Sequence, residues 1–354
     1  MRIKEETLIP LVNMVIKSTK ISDVSETRVV APIERENDSL NENILRPKTL
    51  SEYIGQESIK KHLNIAIQSA QIRKVPLEHI LLYGPPGLGK TTLSAIIASE
   101  MQSHLKQTSG PAIEKQSDIV SLLTSLQEWD VLFIDEIHRL RPQIEEILYS
   151  AMEDFAIDIM IGTGTGATSI RMDIPKFTLV GATTKLAKIS GPLRDRFGNV
   201  LKLDFYDLAD LAEIVRRSFH ILGISIQNEE IWELVAKKSR GTPRIVNRFV
   251  KILRDYGTVG HDIGDIHETE KVFSALGIDS LGLDELDRKL LETLAYSFPG
   301  RTVGLHTLAS IIGEEEETLE DVVEPYLLKI GFLERTPRGR KLSEAGESYI
   351  RLGK

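Results

Sequence analysis

The stretch GPPGLGKTT, residues 84 to 92, concentrates glycines, a lysine and two adjacent hydroxyls in one short run. Gly84, Gly87 and Gly89 permit backbone angles closed to other residues, so successive N–H groups can approach the oxygens of a phosphate. A helix starting behind them would point its positive end at the same anion. Lys90 would then reach the β and γ phosphates of ATP, and Thr91 would ligate Mg2+. Such a site also needs acids, and VLFIDE at 131–136 supplies two. Asp135 would hold the Mg2+ through water and Glu136 would polarise the attacking water. His138, in the same segment, reads as a surface histidine or one standing behind these groups, with no catalytic role.

Three further pieces follow in order. FTLVGATT ends in Thr183 and Thr184. If this strand lies beside the one carrying Asp135, the Thr184 hydroxyl senses the γ-phosphate; otherwise it caps a strand end. GPLRDRFG brings Arg194 and Arg196, and phosphoryl transfer gains from a cation aimed at the γ-phosphate, which a neighbouring subunit can supply. Read alone, these are as well described as surface charges. In SRGTPRIVNRF, Thr242 stands at a helix N-cap, Pro243 at the first helical position and Arg244 in the first turn. Arg244 is either a bridge from a lid domain to the phosphates or a solvated arginine.

The elements that must position these groups are legible. An apolar run at 80–83 leads into the glycine turn and then a helical pattern, and the apolar run before Asp135 reads as a buried parallel strand whose carboxyl end opens on a ligand crevice. AIDIMIGTGTGATSIRMDI alternates on both sides of a Gly/Thr link, the pattern of a β-hairpin. From about residue 280, three helical patterns and the cationic turn ERTPRGRKLS outline a winged helix. The expected fold is therefore α/β, a P-loop ATPase with a parallel sheet flanked by helices, a small helical lid and a C-terminal winged helix. The expected divisions are a tail over 1–40, a large ATPase domain over 41–206, a lid over 207–278 and a winged-helix head over 279–354.

Composition bounds the rest. At 354 residues with 41% hydrophobic and 27% charged, the chain is long for one domain. It contains no cysteine, which excludes disulfides, thiolate zinc sites and thiol nucleophiles. The apolar patch LIPLVNMVI is too short to span a bilayer, so a soluble, cytoplasmic protein with no membrane attachment is expected. Net charge is −8, yet the last twenty residues hold six cations against two acids. Glu320, Asp321 and Glu324 make the third helix of the head a poor reader of bases, whereas a wing of arginines can follow phosphates with little sequence information.

In this order the motifs resemble the AAA+ ATPases, and LRPKTLSEYIGQ, LLYGPPGLGKTTL, VLFIDEIHRL, PLRDRFG, GTPRIVNRF and EPYLLKIGFLERTPRGR look like the RuvB family of Holliday-junction branch-migration motors. The resemblance begins near residue 40. It implies a homohexameric ring that hydrolyses ATP with Mg2+ to pump duplex DNA, loaded on Holliday junctions by RuvA and working beside RuvC. It implies that Leu45, Arg46, Gly87, Gly89, Lys90, Thr91 and Thr92 contact the nucleotide. Glu153, Asp154 and Phe155 would line the site, and Tyr206 would sit where the large and small ATPase domains meet. Arg196 takes the role of the finger and Arg244 that of the second sensor. The hairpin of about residues 157–174 would dock RuvA. Arg335 and Arg340 match DNA-contacting arginines, supported by Arg338 and Lys341. Glu316 stands where some members carry an arginine, and the first 40 or so residues have no counterpart in the family's pattern.

Two other readings share part of these features. A clamp loader or protein remodeller would use residues 84 to 244 but gives no reason for the basic wing. An ATP-switched winged-helix regulator would read bases through the third helix, against its acidic charge.

Overall fold

A computed structural model describes residues 44–161 and 168–352 of the protein, the side chains of 159–161 and 168 excepted. The tail expected over 1–40 and the link of the hairpin lie outside the described residues. Strands β1 (Ile80–Tyr83), β2 (Leu105–Ser109) and β3 (Val131–Asp135) belong to the main sheet. Strands β4 (Ala156–Ile161) and β5 (Thr168–Asp173) form a separate antiparallel pair, with Ala156 opposite Asp173. The main sheet is completed by β6 (Thr178–Thr183) and β7 (Asn199–Lys202), giving the order β2-β3-β6-β1-β7 with every pair parallel.

Because all five strands run the same way, their carboxyl ends share one edge, where an open α/β sheet binds its ligand. Side chains alternate across the sheet. Phe133 and Val131 enter the core on one face, shared with the lid helices, while Leu132 and Ile134 enter the core on the other. Four helices follow β7: Leu208–Ile221, Glu229–Lys238, Pro243–Thr258 and Ile266–Ala275. Three begin with an acid or amide accepting from the first turn: Asp207 from Asp210 N–H, Asn228 from Glu230 N–H and Asp265 from Glu268 N–H.

The last unit has its own core, which includes Leu290, Leu308, Val323, Leu327 and Leu333. Helices Glu285–Glu292 and Leu305–Ile312 precede a segment running from Glu316 to Lys329. That segment widens into a π turn over Leu319–Val323. Pro325 explains the widening, since it has no N–H to give the carbonyl four residues back. Strands β8 (Leu333–Thr336) and β9 (Gly339–Leu342) form the wing, with Arg335 opposite Arg340. No helix among the described residues is long and apolar enough to cross a membrane.

Candidate functional site

The sequence folds locally into a phosphate cradle because three of its glycines take positive φ: 144° at Gly84, 78° at Gly87 and 97° at Gly89. Gly89 is also held by packing, for a Cβ there would meet the Tyr53 hydroxyl at 2.8 Å. The helix Lys90–Glu100 starts immediately behind it. Lys90 is 8% exposed, and its ammonium donates to the Gly84 and Pro85 carbonyls, each at 2.8 Å. Burial pushes this amine down to about 8, opposed by the nearby Asp135 carboxylate and reinforced by the Arg244 guanidinium. The cation is thus parked on neutral oxygens a few ångströms from where an anion would gain most from it.

A cavity of about 520 Å3 opens over this loop. Gly87, Gly89, Lys90, Thr91, Thr92, Asp135, Glu136, Thr184 and Arg244 line it, together with Leu45, Arg46 and Tyr206. Strand β6 lies between β1 and β3, which meets the condition set for Thr184. Its neighbour Thr183 is buried and bonds His138 Nδ1 at 3.0 Å, so His138 stands behind the site as expected. Burial lowers the pKa of that imidazole. Asp135 accepts from the Glu136 N–H at 2.9 Å, and Glu136 takes a left-handed backbone, φ 47°, that turns the chain sharply after the acid pair. Thr91 and Asp135 put a hydroxyl and a carboxylate on one wall, the oxygen donors that Mg2+ takes when phosphates complete its shell.

The junction of sheet and lid closes the cavity. The Tyr206 hydroxyl reaches Tyr53 at 3.0 Å, and both phenols lie within reach of the Leu88 carbonyl. The Arg244 N–H meets the Gly87 carbonyl at 3.4 Å. Its helix starts at Thr242 with Pro243 in the first turn, but the Thr242 hydroxyl does not cap the helix and lies instead against the Arg240 carbonyl. Expected capping chemistry is therefore only half realised. Sequence reasoning missed Tyr53, Ser109, Arg217 and Asn247 as lining residues. It also missed that the head reaches the cavity through Glu315, Glu317, Thr318 and Asp321. Nothing in their local spacing distinguishes these residues from solvated ones.

Glu153, Asp154, Phe155 and Arg196 are not brought to this cavity. Phe155 packs against His79 and Phe177, which precede β1 and β6, at the amino ends of the strands and hence across the sheet from the phosphate loop. Arg196 pairs with Glu153 at 3.0 Å, donates to the Pro192 carbonyl and stacks over Tyr149 at 4.5 Å. Its Nε is buried without a hydrogen-bond partner among the described residues. None of these four residues lines the cavity of its own chain.

The wing also departs from its sequence reading. Arg340 is buried and grips Glu324 with two nitrogens, at 2.6 and 3.1 Å. It is therefore a staple between wing and helix rather than a free cation. Arg335, 52% exposed, donates to Glu320 at 2.6 Å. Two of the acids that make the third helix a poor base reader, Glu320 and Glu324, are the partners that hold the wing's inner arginines. Arg338, in the turn, is exposed, and Lys341 lies on the opposite face of the ribbon, across from Glu334. Glu316 meets His306 Nδ1 at 2.8 Å, an exposed contact on the surface of the head.

Comparison with known proteins covers nearly the whole described chain. Residues 45–203 match the family described as the Holliday junction DNA helicase RuvB P-loop domain, 206–279 the RuvB AAA lid domain and 280–351 the RuvB C-terminal winged helix domain. A curated relative from Clostridium kluyveri, the Holliday junction branch migration complex subunit RuvB, is 53% identical over 326 residues, 92% of this chain and 93% of its own. Among solved structures, the Thermotoga maritima RuvB Holliday junction branch migration motor is 48% identical with a TM-score of 0.79, covering 87% of this chain and 98% of that one. A single-residue variant of the Thermotoga maritima protein gives a TM-score of 0.80 at 49% identity, with the same coverage.

Proposed function

The chain belongs to the RuvB family, and from that premise we propose that it is an ATP-hydrolysing DNA translocase that drives branch migration of Holliday junctions in recombination and repair. One observation carries the reading: the phosphate loop, the acid pair, Thr184 and the lid's Arg244 converge on one cavity in a chain that ends in a winged helix. In the cleft, Lys90 would exchange the Gly84 and Pro85 carbonyls for β and γ phosphate oxygens. Thr91 and Asp135 would hold Mg2+, which neutralises charge on the phosphates when bound. Glu136 would orient a water for attack on the γ-phosphorus and accept its proton while the bond to the β-phosphate oxygen breaks, giving ADP and phosphate. Thr184 would report the γ-phosphate, and Arg244 would carry that report to the lid.

Arg196, remote from its own cavity, would complete the site of a neighbouring copy, so the working unit is a closed ring, read here as a homohexamer. Glu153, Asp154 and Phe155 belong to the same neighbour-facing edge. Arg338, Arg335 and Lys341 would follow DNA phosphates, Arg335 by leaving Glu320. The hairpin β4–β5 would dock RuvA, with RuvC acting on the same junction, in the cytoplasm. The test is steady-state ATP hydrolysis with and without duplex DNA of unrelated sequences, using Lys90→Ala as the blank. Stimulation by every duplex is expected; hydrolysis indifferent to DNA, with RuvA present as well as absent, would overturn the motor reading.

A further inference from the structure

Lys185, next to Thr184, crosses from the large domain to the head. Its ammonium lies 2.8 Å from Asp321, 3.6 Å from Glu317 and 4.0 Å from Glu320. Its side chain is only 14% exposed and Asp321 is 30% exposed, so water screens that pair weakly, whereas Glu317, at 77%, stands at the open rim of the cluster. Glu317 and Asp321 line the cavity that holds Lys90 and Thr91, and they are acids facing a space fitted for a polyanion. Glu320 is shared: one oxygen faces Lys185, the other lies 2.6 Å from Arg335 and 3.6 Å from Arg340. A continuous ionic chain therefore runs from the γ-phosphate end of the cleft to the wing.

Two features make that chain movable as a unit. Glu320 and Asp321 sit in the π turn that Pro325 forces, and such turns recur where a helix has been adapted to function. The head is also fastened to the lid. Arg240 forms a buried ion pair with Asp287, donates to the Gly282 carbonyl at 2.7 Å and lies over the Tyr326 ring. A displacement of lid and head together would have to break the Lys185 contacts to the head while sparing Arg240.

We propose that Lys185 with Asp321 and Glu317 is a nucleotide-sensitive latch between the large ATPase domain and the winged-helix head. A triphosphate arriving beside Thr184 competes with the two carboxylates for Lys185 and repels them. The head then leaves the cleft, carrying Glu320 away from Lys185 and leaving it to the wing arginines alone. The inference rests on the nucleotide reading of the cavity and assigns the head a part in it. By linkage, DNA held on the wing must alter nucleotide affinity by the same factor that nucleotide alters DNA affinity.

The two partners of the latch make opposite predictions. Asp321→Asn removes a like charge and should tighten binding of a fluorescent, non-hydrolysable ATP analogue, by about fivefold on the usual scale of such couplings. Lys185→Met should weaken it by a similar factor, because the triphosphate then loses the cation for which it competes with the two acids. The absence of native cysteine allows Ser117→Cys and Ser348→Cys, both exposed, to carry one spin label each on the large domain and the head. The inter-label distance in the full chain should shift when the analogue is added, and Lys185→Met should show the shift without it. Both variants weakening binding alike would make the contact merely structural and overturn the latch. So would a distance that ignores a nucleotide shown by its fluorescence to bind. Failure of the parent chain to bind the analogue at all would overturn the nucleotide reading and the latch together.

Discussion

At Lys90 a buried cation meets a site built for anions. With its amine at about 8 in the free protein, the side chain is charged below that pH and neutral above it, whereas a bound phosphate would hold the proton. Affinity for a nucleoside triphosphate should therefore be flat below pH 8 and fall by up to about tenfold per unit above it. Titration of a fluorescent ATP analogue between pH 7 and 9.5 measures this, and an unchanging affinity would mean that Lys90 does not reach the phosphates. The spacing of the glycines, Lys90 and Thr91 was enough to locate this residue, because the loop is local chemistry. Its bonds to Gly84 and Pro85 were not legible, since they depend on how tightly the loop closes.

At the scale of elements, the wing and the hairpin are both ribbons, but their side chains do different work. Arg340→Ala would leave Glu324, 1% exposed, as a buried unpaired acid and should destabilise the head by about 3 kcal/mol in denaturant unfolding. Arg338→Ala, in the turn, should leave stability within about 0.5 kcal/mol. It should weaken DNA binding equally across sequences and reduce the salt slope by about one ion. If the two arginines behaved alike in both assays, the division between staple and contact would be wrong. On the hairpin, Ile170 is 49% exposed on β5. Ile170→Asp should reduce RuvA binding at least tenfold in a titration while basal ATP hydrolysis stays unchanged. A change in basal hydrolysis would make the hairpin part of the ATPase instead.

For the whole molecule, the separation of Arg196 from its own cavity has a direct consequence. Arg196→Ala should keep nucleotide binding within about twofold and lower hydrolysis by about 10³ or more, the scale of a lost arginine finger. Mixed with the parent protein, it should depress turnover more than its share of subunits. Retained hydrolysis in the pure variant would sink the shared-site assembly. Sheet and lid share one hydrophobic core, whereas the head has its own and meets them through specific contacts. Tyr206 joins sheet and lid, Arg240 joins lid and head, and Lys185 joins head and sheet.

Sequence by itself picked out groups carried on short stretches that the fold brings to one cavity: the glycine loop, the acid pair, Thr184 and Arg244. It also determined the order of domains, because hydrophobic periodicity and turn residues act over a few positions. What only the tertiary structure decided are relations between distant segments. Arg340 proved to be Glu324's partner, Phe155 lies at the wrong edge of the sheet for its own cavity, and the head's acids face the nucleotide cleft. Charge and spacing state what a side chain can do, but burial and pairing choose among those uses. Both are set by surfaces that meet only when the chain has folded.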